Sequence, residues 1–143
     1  MNSVRTVVMA FDFGLRQIGV AVGNRETRTA QALTTLSARD GTPRWEEIRA
    51  LLDQWKPGLL LVGLPLHMDG DESCLSQRAR RFSRRLEGRF SIAVDFVDER
   101  LTSYEAKTLL AEQGRRGSYK EAPADALAAQ LILETWLSAE REP

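Results

Sequence analysis

The sequence predicts a single α/β domain, and three observations carry that prediction. Three short apolar, β-prone segments come first, with no helical pattern between them. Two further strand-like runs then follow helical patterns, the arrangement that makes successive strands parallel. The length, 143 residues, is that of one ordinary domain, with a 43% hydrophobic and 28% charged composition that excludes whole-chain disorder. Residues 1–143 are therefore expected to form one unit, with no repeat, low-complexity tract or linker.

Residues 6–13 (TVVMAFDF) read as the first strand, which Gly14 ends. Residues 17–23 (QIGVAVG) alternate large and small side chains and predict a second strand that forms a hairpin with the first. Residues 29–36 give a weaker third strand, and Asp40-Gly41 a turn. Thr42-Pro43 reads as the start of a helix, with Thr as N-cap and Pro at the first helical position. Ile48, Leu51, Leu52 and Trp55 form its apolar side, and Pro57-Gly58 stops it. Residues 59–62 (LLLV) have the continuous apolar character of a strand covered on both faces. A polar loop containing Asp69-Gly70 follows. Residues 75–87 predict a helix with Leu75, Ala79, Phe82 and Leu86 inward, and 91–97 the next strand. Thr102-Ser103-Tyr104-Glu105 is a capping box for a helix to about residue 112. A glycine- and arginine-containing loop over 113–121 precedes a last helix, opened by Pro123 and running to about 139. The order is β-β-β-α-β-α-β-α-α.

One cysteine (Cys74) and one histidine (His67) exclude an internal disulfide and Cys/His zinc sites. They also lack any supporting motif for nucleophilic catalysis, and Cys74 reads as a packed residue at a helix start. No apolar run reaches membrane-spanning length, and residues 1–10 do not have the pattern of a secretory signal, so the expected location is the cytoplasm with no membrane partner. Asp12-Phe13-Gly14 spells the metal-binding tripeptide of protein kinases, but the other kinase motifs and about half the necessary length are missing. Neither GxxxxGK[ST] nor GxGxxG occurs.

Asp12 interrupts an apolar run near the end of the first strand, where open α/β sheets gather their ligands. An Asx-type turn with Gly14 or an ion pair with Arg16 would also account for it. Asp98-Glu99-Arg100 follows the last strand in the same way; with one strand between, the two backbones would stand about 10 Å apart. Asp125 lies in the first turn of the last helix, in phase with Ala128, Ile132 and Trp136. Its simplest explanation alone is the helix dipole. Together, such carboxylates suit Mg²⁺ or Mn²⁺, with two ions expected, and the chemistry that uses this arrangement is phosphodiester hydrolysis.

Formal net charge is zero, from 20 basic and 20 acidic residues, but the charge is unevenly placed. Six arginines (78, 80, 81, 84, 85 and 89) fall within twelve residues, against only Glu87. They read either as a solvated helix face or as a nucleic-acid grip in which Arg78, Arg81 and Arg85 take part. Arg16 after the first strand, Arg100, and Arg115-Arg116 in the late loop are the other candidate contacts.

The quoted segments Ala10-Phe11-Asp12-Phe13-Gly14 with residues 18–23, Val62-Gly63-Leu64-Pro65 with Met68-Asp69-Gly70, Asp98-Glu99-Arg100-Leu101-Thr102, and Asp125 with Ala129 and Ile132-Leu133-Glu134 resemble the YqgF/RuvX family, over about residues 7–137. The resemblance implies a ribonuclease-H-like fold with a five-stranded mixed sheet in the order 3-2-1-4-5, flanked by helices. It implies a nuclease that matures the 5′ end of precursor 16S ribosomal RNA, with ribosomal particles among its expected partners. Holliday junction resolution on branched DNA is the alternative, and a non-catalytic nucleic-acid-binding or transcription-associated module a third reading. A phosphate-binding ATPase fragment ranks last, because such folds need two domains. The family's acidic residues fall on Asp12, Glu99 and Asp125. Related resolvases often carry two acids near the last helix, where this chain offers only Glu121 as an extra one. Glu121-Ala122-Pro123 after Lys120 also departs from the family's basic, glycine-containing entry to that helix.

Overall fold

The computed structural model describes residues 6–64, 74–98 and 124–140. Its sheet has six strands: β1 (Val7–Asp12), β2 (Gln17–Asn24), β3 (Thr29–Arg39), β4 (Thr42–Pro43), β5 (Leu59–Leu64) and β6 (Val94–Asp98). They lie in the order β4-β3-β2-β1-β5-β6. β1 runs antiparallel to β2 and parallel to β5, which is parallel to β6. The five long strands have the expected 3-2-1-4-5 order; the sixth, β4, is new.

β4 corrects the reading of Thr42-Pro43 as a helix start. Asp40 and Gly41 both have positive φ (51° and 82°), the two-residue turn whose twist matches a hairpin. The turn folds Thr42 and Pro43 back onto Arg39 and Ala38. Pro43 is tolerated because the strand is at the sheet edge, where no partner needs its missing N–H. Helix α1 (Trp45–Trp55) starts after it, with an extended Arg44 as N-cap and no side-chain cap bond. It ends at Lys56, whose left-handed backbone lets its N–H bond the Leu52 carbonyl.

α2 (Cys74–Phe90) outruns the expected 75–87 by nearly a turn. Cys74, read as packed at the helix start, is its exposed first residue, with a free thiol. Ser91, expected to begin the next strand, instead closes α2: it is left-handed (φ 57°) and its N–H bonds the Glu87 carbonyl, so β6 starts at Val94. α3 (Ala124–Glu140) is the final helix. The expected helix over 102–112 and the loop over 113–121 lie outside the described residues.

The sheet separates two cores. On one face α1 and α2 cover Met9, Phe11, Ile18, Val20, Leu60 and Val62. Phe82 of α2 is their hub, with ring centroids 5.8 Å from Phe11, 5.3 Å from Phe13 and 6.0 Å from Trp45. On the other face α3 covers Val8, Ala10, Ala21, Leu61 and Val97. The buried line of α3 is Ala126, Ala129, Leu133 and Leu137, with Ile132 beside it, whereas Ala128 and Trp136 are only partly buried. The expected stripe 125-128-132-136 is therefore one position out of phase. The small residues Ala126 and Ala129 permit the closest approach to the sheet and so set the helix's rotation.

β3 is longer than expected because its last residues are paired, Ser37 with Gln17 of β2 and Ala38 and Arg39 with Pro43 and Thr42 of β4. Between Val20 and Ala21 the register slips, leaving Leu33 as an extra residue in β3. The Ala32 N–H beside this bulge donates to Gln130 Oε1 of α3 at 3.0 Å.

Candidate nucleic-acid and catalytic site

Asp12 is the last residue of β1. Alternation along the strand assigns Met9 and Phe11 to the α1/α2 face and Val8, Ala10 and Asp12 to the α3 face. Asp12 pairs across the ladder with Gly19 of β2. A Cβ on Gly19 would overlap the Asp125 carbonyl and stand 2.9 Å from the Ala126 nitrogen. With only hydrogen on that Cα, the first turn of α3 rests directly on β2. Cross-strand partners lie about 4.5–5.5 Å apart. Gly19 thus carries the Asp125 backbone one strand over from Asp12, and both aspartates are half-buried.

Asp98 behaves differently. Phe11 pairs with Val62 and Val62 with Phe96, which places Asp12 level with Val97, one strand removed. Val97 belongs to the α3-side core, so Asp98 falls on the opposite face from Asp12. Glu99 lies outside the described residues, as do Arg100, Arg115, Arg116 and Glu121. Among the described residues no three acidic, histidine or cysteine side chains come together; Asp12 and the Asp125 backbone share Gly19 as a neighbour.

Arg16 is exposed on the β1–β2 turn, and its carbonyl accepts the Ala38 N–H at 2.8 Å. The α2 arginines divide into groups. Arg80 stacks on Phe96 at 4.9 Å and Arg89 on Trp45 at 4.4 Å. Arg78, Arg81 and Arg85 instead line one cleft with the Asp40-Gly41-Thr42 hairpin. Arg78 Nη1 pairs with Asp40 Oδ1 at 2.6 Å, and Arg85 Nη1 reaches Thr42 Oγ1 at 3.4 Å.

The role of Gly19 as a seat was not drawn from the sequence, although its signal is there. Gly19, Ala21 and Gly23 are the α3-facing positions of β2, and three small residues at i, i+2 and i+4 mark a strand that a helix approaches closely. Gln130 and Asp40 had no such signal, since their partners are set by the bulge and by the hairpin.

A mixed sheet with an antiparallel β1-β2-β3 meander, two parallel strands beyond it and a carboxylate at the end of β1 defines the ribonuclease-H-like class. Solved structures agree on the fold. Thermus thermophilus RuvC in complex with a Holliday junction substrate matches with TM-score 0.60 and 16% identity, over 94% of this chain and 96% of that one. The fowlpox virus Holliday junction resolvase matches with TM-score 0.53 and 14% identity, over 95% and 99%. The model of one family, described as RuvX: Holliday junction resolvase, covers residues 6–139, and the chain belongs to that family. Among curated relatives, proteins of Chromohalobacter salexigens (53% identical, 92% of this chain and 89% of theirs) and Saccharophagus degradans (50%, 90% and 91%) both carry the name "Putative pre-16S rRNA nuclease".

Proposed function

We propose that the whole chain, residues 1–143, acts as one metal-dependent endonuclease domain that hydrolyses phosphodiester bonds during 5′-end processing of precursor 16S ribosomal RNA. Family membership and the relatives' shared name support the class of reaction and the substrate. The observation that carries the site is the seat at Gly19, where a missing side chain admits the Asp125 backbone beside Asp12.

The donors fit a hard divalent cation, because they are carboxylates, the oxygen ligands that Mg²⁺ and Mn²⁺ prefer. We assign Asp12, Glu99 and Asp125 to hold it. Alternation along β6 gives the α3 face to Val97 and the opposite face to Asp98, so Asp98 is left out of the set. When bound, such ions lower the pKa of a coordinated water and neutralise charge on the leaving oxygen. The protein's part is to fix the carboxylates on a rigid strand end and a docked helix, and to place the phosphate. Arg16, at the turn following Asp12, is assigned to the reacting phosphate. Arg78, Arg81, Arg85, Arg100, Arg115 and Arg116 are assigned to the rest of the strand. No described helix is long and apolar enough to cross a membrane; the reading places the protein in the cytoplasm, with ribosomal particles as partners.

Wild type and Asp12→Asn, incubated with labelled precursor ribosomal RNA and with a four-way DNA junction, test the reading. Each is run with Mg²⁺, with Mn²⁺ and with chelator. Cleavage of the RNA that needs both metal and Asp12 is expected. Symmetric cutting of the junction alone would transfer the activity to branched DNA. Metal-independent binding without turnover would overturn the catalytic assignment.

A further inference from the structure

The cleft between α2 and the β3–β4 hairpin lies across the sheet from Asp12 and Asp125. Its volume is about 230 Å³, and Phe13 and Phe82 contribute its apolar lining. Phe13 directly follows Asp12, so the cleft and the carboxylates share one sheet edge while opening on opposite faces. Arg78, Arg81 and Arg85 reach it from positions i, i+3 and i+7 of one helix side. Backbone bonds hold the opposing wall: the Gly41 N–H donates to the Leu15 carbonyl and the Ala38 N–H to the Arg16 carbonyl, both at 2.8 Å.

Among the described residues three guanidinium groups face a single carboxylate here, an excess of two positive charges. Arg81 has no ion-pair partner among the described residues, and the 3.4 Å contact of Arg85 with Thr42 is long for a hydrogen bond. Among the described residues only Arg78 is firmly engaged, by Asp40 at 2.6 Å. Planar guanidinium forks without lysines, set around a small polar cleft, match the geometry of a tetrahedral oxyanion.

We propose that this cleft is a second phosphate site, which holds a non-reacting phosphate of the nucleic-acid strand, with the Asp40 carboxylate as its internal competitor. Asp40 occupies Arg78 in the free protein and yields it when a phosphate arrives. The site deepens the nuclease reading and rests on it for the identity of the strand. Internal phosphodiesters and a 5′-terminal phosphate present the same chemistry to it.

The test is binding of fluorescent single-stranded RNA, with and without a 5′-phosphate, to the full chain in chelator, between 50 and 200 mM salt (about the range over which phosphate contacts are lost). Binding in chelator requires no turnover, so its failure is separable from a failure of the nuclease assay. Arg81→Gln and Arg85→Gln are each expected to weaken binding about tenfold, independent of sequence. Each should also reduce the slope of log affinity against log salt by about 0.7. Asp40→Asn should tighten binding severalfold and steepen the slope; asparagine tolerates the left-handed backbone at this position. Arg84→Gln, on the same helix but outside the cleft, is the charge-matched control. Losses seen only with a 5′-phosphate would assign the site to the strand terminus, and losses seen with both RNAs to the internal backbone. Equal losses for Arg84→Gln, weaker binding by Asp40→Asn, or no RNA binding by wild type would each overturn the proposal. Thermal melts of each variant exclude unfolding as the cause.

Discussion

Replacing Gly19 by alanine probes the site through a residue that carries no chemistry. The added methyl would overlap the Asp125 carbonyl and lie 2.9 Å from the Ala126 nitrogen, where ordinary contact begins near 3.4 Å. The first turn of α3 must lift by on the order of 1 Å, and overpacking of this kind costs about 1–3 kcal/mol. Detaching the whole helix would cost more. Leu127, Ile132, Leu133 and Leu137 are all buried, at about 1.5–3 kcal/mol each. The helix therefore stays docked and yields at its N-terminus, where Asp125 sits. A misplacement of about 1 Å at a reacting centre can cost about a hundredfold in rate. The expected outcome is a lowering of the melting temperature by several degrees, together with a fall in single-turnover cleavage of about a hundredfold and little change in RNA binding. Gly88→Ala is the control: a Cβ there meets nothing within 4 Å, and alanine in a helix interior is favoured by about 0.5–1 kcal/mol. It should stabilise the protein slightly and leave cleavage intact. If Gly19→Ala cleaves and melts like wild type, the seating of Asp125 on β2 is wrong, and with it the argument that joins Asp12 to Asp125.

Four further outcomes follow from the same structure. Phe82→Ala removes the ring shared by Phe11, Phe13 and Trp45 and should cost about 3–5 kcal/mol in urea unfolding, with RNA binding weakened as the cleft loses its lining. Gly41→Ala should destabilise by about 1–2 kcal/mol, because φ is +82° and the new methyl would stand 2.9 Å from the Phe13 ring; Gly41→Asn, at home in the left-handed region, should lose less from backbone strain. Gln130→Leu strips the Ala32 N–H of its acceptor and should cost about 1–3 kcal/mol, with faster amide exchange at Ala32 than at its neighbours in β3. Added Mg²⁺ should raise the melting temperature of wild type, by mass action on the folded state, and should fail to do so for Asp12→Asn; an equal rise in both would remove Asp12 from the cation site.

The long strands were legible because each carries its own periodicity, and the crossover helices then fixed which neighbours run parallel. Thr42-Pro43 misled because the same two residues satisfy two local rules. They suit a helix start, and they suit an edge strand after an Asp-Gly turn. What decides is the left-handed backbone of Asp40 and Gly41, together with a partner on β3, and neither is visible in a window of a few residues. Ser91 misled for a related reason. A serine before an apolar run reads as a strand entry, yet here its left-handed backbone caps the preceding helix. In the last helix the apolar residues are spread around the circumference, so periodicity alone fixes its rotation poorly. The buried line is set by where Ala126 and Ala129 let backbone approach backbone. Asp12 stood out as an acid in an apolar run. That the Asp125 backbone would rest one strand over from it depended on Gly19, a residue whose function is to have no side chain.

The segregation of charge across the sheet bears on why acids and arginines can share one edge. Formal charge sums to zero over the chain, and a carboxylate 4 Å from a guanidinium in a site of intermediate polarity gains about 4 kcal/mol from the attraction. Were Arg78, Arg81 and Arg85 set beside Asp12 and Asp125, they would therefore compete with a cation for the same oxygens. The sheet prevents this by alternation. Asp12 falls on the α3 face, while Phe13 turns toward α2 and lines the cleft of Arg78, Arg81 and Arg85. The one described acid that enters the arginine cleft, Asp40, stands on the hairpin and not on the central strands, and it engages Arg78. A one-residue slip in the register of β1 would exchange the faces of Asp12 and Phe13 and bring the carboxylate among the guanidinium groups. Six consecutive pairings with β2, from Val7 with Asn24 to Asp12 with Gly19, hold β1 against that slip. The same register that sets Asp12 beside Gly19, where the Asp125 backbone rests, thus keeps it from the cleft of Arg78, Arg81 and Arg85.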